Sequence, residues 1–134
     1  MANIHKPDEN IKTDVAMIAA TLNNSNNTEV YFSMKNYDLA WFLVQTAALI
    51  AGASLDCQMR ERVGAAGNEA NLKTAATVTT ANAVDATLFA RGEDFTATYT
   101  HIGILITATG GQNAPVAATL LRLRARYKQT TLLT

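Results

Sequence analysis

One stretch near the end of the chain constrains the fold more than any other. From Leu121 onward, Leu121, Leu123, Ala125 and Tyr127 share one parity, while Arg122, Arg124 and Arg126 share the other. A period of two marks a strand with one apolar face and one wet or partner-facing face. Upstream, Tyr99 to Ala108 reads as another strand, and Gly110, Gly111 and Pro115 punctuate the connection. Together these predict a hairpin over 99–127. In its first arm, Ile102, Ile104, Leu105 and Ile106 put apolar groups on both faces. Such a strand is covered on both sides, by its own core or by another subunit.

The rest of the chain repeats short strand patterns between turn signals. Residues 1–10 carry a Pro and no periodicity, and are expected to be a mobile arm whose Ile4 could anchor on a neighbour. Asp14 to Leu22 alternates as a strand, with a helix as the alternative because Ala and Met favour one. The Asn-rich run 23–27 predicts a turn, and Thr28 to Met34 a second strand. Leu39 to Ile50 fits helical and strand spacing alike; its neighbours favour a strand. Gly52 predicts a break. Ala53 to Val63 alternates, with Ala53, Leu55, Cys57 and Met59 on one side. After a loop at 64–69 come short strands at 73–80 and 82–90, a polar turn at 91–94, and the predicted hairpin. About eight short strands at even spacing predict an all-β fold, an antiparallel β-sandwich of jelly-roll-like form with flexible termini. The expected domain organisation is an arm (1–10), one sandwich domain (11–127) and a tail (128–134) that could extend onto a neighbour.

Composition narrows the function. A chain of 134 residues suits one domain with a core of its own. Its formal net charge is zero and only 16% of residues are charged, so a nucleic-acid partner is not expected. No apolar run reaches membrane-spanning length, and no leader pattern opens the chain, so a membrane partner and a secretory route are not expected either. A lone Cys57 fits a buried small side chain in an intracellular product. Aromatic residues make up only 7%, and Ala and Thr abound. A thin core of that kind leaves the monomer less stable and favours self-association.

Residues with chemical potential do not form a catalytic set. His5 lies in the arm and His101 in a strand, and neither pairs with Cys57 at metal-ligand spacing. No base stands beside a Ser or Cys nucleophile. Glu61, Glu69, Glu93 and Asp94 read as solvated charges in or near turns. The 64–67 glycine stretch lacks the Lys and Ser/Thr of a phosphate loop. No enzyme, cofactor or metal is therefore expected. The most specific polar feature is the arginine ladder, Arg122, Arg124 and Arg126, about 7 Å apart along one strand face. It reads either as a solvated face or as a stripe that meets acidic groups on another subunit. Ile4 and His5 of the arm join the ladder as candidate interface residues. Trp41, Tyr37 and Tyr99 are platform candidates for a sugar-binding alternative.

Several motifs carry a resemblance. Tyr31-Phe-Ser-Met-Lys35 follows an Asn-rich turn. Gln58-Met-Arg-Glu61 precedes a Gly/Ala loop and Asn71-Leu-Lys-Thr-Ala75, and His101-Ile-Gly-Ile precedes the closing Leu121-Arg-Leu-Arg-Ala-Arg-Tyr127. Over most of residues 12–127 the chain resembles small tailed-bacteriophage capsid-associated proteins of the cement or decoration type. The resemblance implies a β-sandwich or jelly roll, assembled as a homotrimer or homodimer over capsomer junctions. Its implied partner is the major capsid protein, and its implied place is the virion capsid, assembled in the host cytoplasm. Another virion part, such as a head-completion, tail or fibre-base protein, remains the alternative.

Overall fold

The computed structural model describes residues 11–79 and 86–123. The predicted arm (1–10) and tail (128–134) lie outside the described residues. Within them the chain forms nine strands: β1 (Ile11–Leu22), β2 (Phe32–Ser33), β3 (Leu39–Thr46), β4 (Ser54–Arg62), β5 (Glu69–Asn71), β6 (Ala76–Val78), β7 (Ala86–Arg91), β8 (His101–Thr109) and β9 (Ala114–Leu123). They build two antiparallel sheets. The front sheet has the order β1-β9-β3-β7; the back sheet has the order β2-β8-β4-β5, with β6 also on β4. Successive strands switch sheets at most steps, in the manner of a jelly roll, and the predicted antiparallel β-sandwich is the observed fold.

Alternating burial explains why each strand sits where it does. In β3, Ala40, Phe42 and Val44 point inward. In β4, Leu55, Cys57 and Met59 face them, and β8 adds Ile102, Ile104 and Ile106. The rest of the core mixes leucines, among them Leu49, Leu72, Leu88 and Leu120, with small side chains such as Ala86, Ala90, Ala108, Ala114 and Ala118. Burial pushes the Cys57 thiol up to about 11, an inert core side chain. The ambiguous stretch at 39–50 is a strand that ends at Thr46.

Four sequence expectations need correcting. First, 99–127 is not a hairpin. β8 belongs to the back sheet and β9 to the front, so residues 110–113 cross between sheets. Gly110 and Gly111 make that crossing with φ of 94° and 70°. A Cβ at Gly110 would lie 1.9 Å from the Gly52 carbonyl oxygen, so only glycine fits there. The Asn-rich turn braces the same crossing: the Gly111 N–H donates to Asn24 Oδ1 at 2.9 Å, and Asn23 Nδ2 donates to Asn113 Oδ1 at 3.0 Å. Second, the strand predicted at 28–34 shrinks to Phe32–Ser33. Asn27 satisfies the β8 backbone in its place, accepting from Ile106 N–H at 2.8 Å and donating to the Ile104 carbonyl at 3.1 Å. Third, the alternation of β1 is interrupted by register shifts at Val15/Met17 and Met17/Ala20, so that neighbours Ala16 and Met17 are both buried. Fourth, the strand predicted at 73–80 is confined to Ala76–Val78, and β5 forms beside it from residues read as loop.

Candidate interaction surfaces

Arg122, the described member of the arginine ladder, is the first place to look, and it does not face outward. Along β9 the buried phase runs Ala114, Val116, Ala118, Leu120, Arg122. Arg122 therefore points between the sheets, and Leu121 and Leu123 take the outer face, the reverse of the parity expected. Its guanidinium donates to Asp14 Oδ2 from Nε at 3.1 Å and from Nη2 at 2.6 Å, and from Nη1 to the Ser33 carbonyl at 2.6 Å. The Tyr37 ring lies 4.8 Å away and the Phe32 ring 5.5 Å. Arg122 is thus an internal clasp that ties β1 and β9 to β2. A planar, permanently charged fork suits that role, because it satisfies several acceptors at once. The other proposed contacts, Ile4, His5, Arg124 and Arg126, lie outside the described residues.

Glu61 shows the same pattern. It shares the inward phase of Leu55, Cys57 and Met59 and is buried, not a solvated charge. Its carboxylate accepts from Thr96 N–H at 3.0 Å and from the Thr96 hydroxyl at 2.6 Å, which pins the loop before β8. On the outside of β8, the Tyr31 ring covers Gly103, where a Cβ would meet the ring at 3.0 Å. The Arg62 guanidinium stacks 3.8 Å from the Tyr31 ring centroid. At Gly103 the outer side of this strand is therefore covered from within the chain.

With Arg122 turned inward, the outer face of the front sheet is left largely to apolar side chains and threonines. Strand register places them in three rows. Ile11, Leu123, Leu39 and Arg91 form one; Thr13, Leu121, Trp41 and Phe89 the next; Val15, Thr119, Leu43 and Thr87 the third. Only Arg91 in these rows is charged. Trp41 is 40% exposed and Phe89 49% exposed. Around the β1 edge the apolar surface continues through Val15 and Ile18, which is 80% exposed, into a cleft of about 470 Å³ that Val30 also lines. Strand spacing gives the three rows roughly 400 Å². Sequence reasoning missed this face, although Trp41 and Leu43 lie out of phase with the buried Ala40, Phe42 and Val44. The sugar-platform candidates separate: Trp41 stands on this face, whereas Tyr37 and Tyr99 line a cleft at the end of the sandwich.

The fold has counterparts among solved structures. The chain is similar to the VP2 subviral particle of infectious bursal disease virus, with a TM-score of 0.58 and 10% identity over 85% of this chain. The T13 particle of the same virus gives a TM-score of 0.56 at 9% identity, again over 85% of this chain. A third likeness is to the Clostridium thermocellum xylanase 10B CBM22-1-GH10 modules complexed with xylohexaose, at a TM-score of 0.51 and 8% identity over 88% of this chain. The chain spans 32% and 31% of the two viral chains and 26% of the xylanase chain. At such identities the likeness establishes a shared sandwich fold. No protein-family model matches the sequence, and no curated relative matches it.

Proposed function

We propose that this chain is a structural protein of a virus particle, of the phage capsid cement or decoration type. It acts without catalysis, by seating the outer face of its front sheet on an assembled shell. The observation that carries this reading is the face itself: three rows of four side chains with one charge among them. Charged residues are depleted at the centres of protein contacts, and aromatic residues are enriched there. A fold shared with part of a viral capsid chain supports the reading. The face covers about half of the ~800 Å² per partner of a standard interface. One such contact is weak, and many symmetry-related copies on a shell make it strong. The partners proposed are the major capsid protein and further copies of this chain. Because only the assembled shell offers the full set of contacts, binding stabilises the shell by mass action.

The test is co-sedimentation of the purified chain with phage shells that lack it. The expected result is saturable binding at a copy number that scales with the number of capsomers, together with a higher shell disassembly temperature. Binding limited to a few copies at one vertex would favour a head-completion or tail component, and no binding would remove the virion reading.

A further inference from the structure

The turn after β2 and the loop before β8 enclose a cleft of about 510 Å³ at the end of the sandwich, within the ~300–1,000 Å³ typical of ligand sites. None of its lining residues belongs to the three rows of the front-sheet face. The backbone ties its two sides together: Met34 N–H donates to the Thr100 carbonyl at 2.9 Å. Aromatic side chains dominate its walls, with Tyr37, Phe95 and Tyr99 all contributing. Tyr37 is held from behind by the Arg122 guanidinium, 4.8 Å from its ring, so the ring is fixed before any ligand arrives.

Polar groups stand between these rings. Ser33 Oγ accepts from Lys35 N–H at 3.2 Å, and its own hydrogen stays free to donate. Gly64 N–H donates to Thr100 Oγ1 at 3.1 Å, and that hydroxyl lies 2.9 Å from His101 Nδ1. In the tautomer that takes the hydroxyl's hydrogen at Nδ1, Nε2 is the N–H donor of the ring. Burial first, and then the Arg62 charge, lowers the His101 pKa from its ordinary value, so the ring is neutral at pH 7. Among the described residues no carboxylate lines the cleft, and Lys35 is the single charged residue there.

We propose that this cleft binds a neutral oligosaccharide. Sugar rings have an apolar C–H face that packs on aromatic rings, and a hydroxyl rim that exchanges hydrogen bonds with neutral donors and acceptors. Tyr37 and Tyr99 supply the first, and Ser33 and His101 the second. A cationic ligand would find no carboxylate here, and a phosphate would find only one lysine. The site stands independently of the shell-binding face: on a decorated particle it would give the virion affinity for a glycan surface.

The experiment is calorimetric titration of the full chain with xylohexaose, cellohexaose and chitohexaose, with uridine monophosphate as an aromatic-stacking comparator. At least one hexasaccharide is expected to bind below about 5 mM, with Tyr99→Ala weakening it about tenfold and Tyr99→Phe retaining it. Circular dichroism of both variants establishes that they are folded. Three results would overturn the proposal: no hexasaccharide binding, binding of the nucleotide alone, or binding that survives Tyr99→Ala. Loss on replacing Trp41 while Tyr99 is dispensable would do the same, by moving the platform to the sheet face.

Discussion

Arg122→Ala is expected to lower stability by about 3 kcal/mol, near the lower end of what breaking a buried ion pair costs. The Arg122 side chain is 7% exposed and its partner Asp14 19%. Removing the guanidinium strands the Asp14 carboxylate and the Ser33 carbonyl, which it satisfies at 2.6 Å each. The lower end applies because Asp14 keeps some contact with water. For a domain of this size the melting temperature should fall by about 10 °C. The double replacement Arg122→Leu with Asp14→Leu should recover much of the loss, since it removes both charges and leaves neither unpaired. A change within about 0.5 kcal/mol for Arg122→Ala, as surface substitutions give, would return Arg122 to the exterior.

The second large effect concerns the outer face. Trp41→Lys with Leu121→Lys puts two cations at the centre of the apolar rows, where the register sets these residues side by side. Burying them against a partner would leave unpaired charges, so shell binding is expected to fall by at least about a hundredfold. The fold should survive, because both side chains point away from the core and neither is fully buried. Matched circular dichroism spectra and melting curves establish that. A folded double variant that binds shells as well as the parent would release this face from the account.

Much of the architecture was legible because alternation is a local signal. β3, β4 and β9 each show a period of two, and the all-β sandwich follows from their spacing. Pairing is not local. Gly110 and Gly111 suit a hairpin and a crossing between sheets equally well at the level of residue type; what decides is that β9 finds β1 and β3 as neighbours over most of its length. The inward turn of Arg122 escapes a local reading for a related reason. Leu121 and Leu123 alone suggest one parity, whereas Val116, Ala118 and Leu120, in phase with Arg122, mark the buried side. Glu61, in phase with Leu55, Cys57 and Met59, carried the same warning. A charge in phase with a long apolar series is an internal tie that needs a partner, here Asp14 or Thr96, from a distant part of the chain. The apolar outer face follows from the two-phase apolar pattern that also marks 102–106. Applied to 39–46, the same criterion exposes Trp41 and Leu43 as a second covered side.

Trp41 is the single tryptophan of the chain and sits in the middle row of the outer face. That allows the central claim to be read at one atom cluster. With 7-azatryptophan incorporated at this position, its emission can be excited apart from the tryptophans of the shell, and its quenching by acrylamide measured free and particle-bound. Seating of the face on a shell should shift the emission to the blue and cut the quenching several-fold. Emission and quenching unchanged on particles that carry the protein would contradict the account, because the contact would then lie elsewhere.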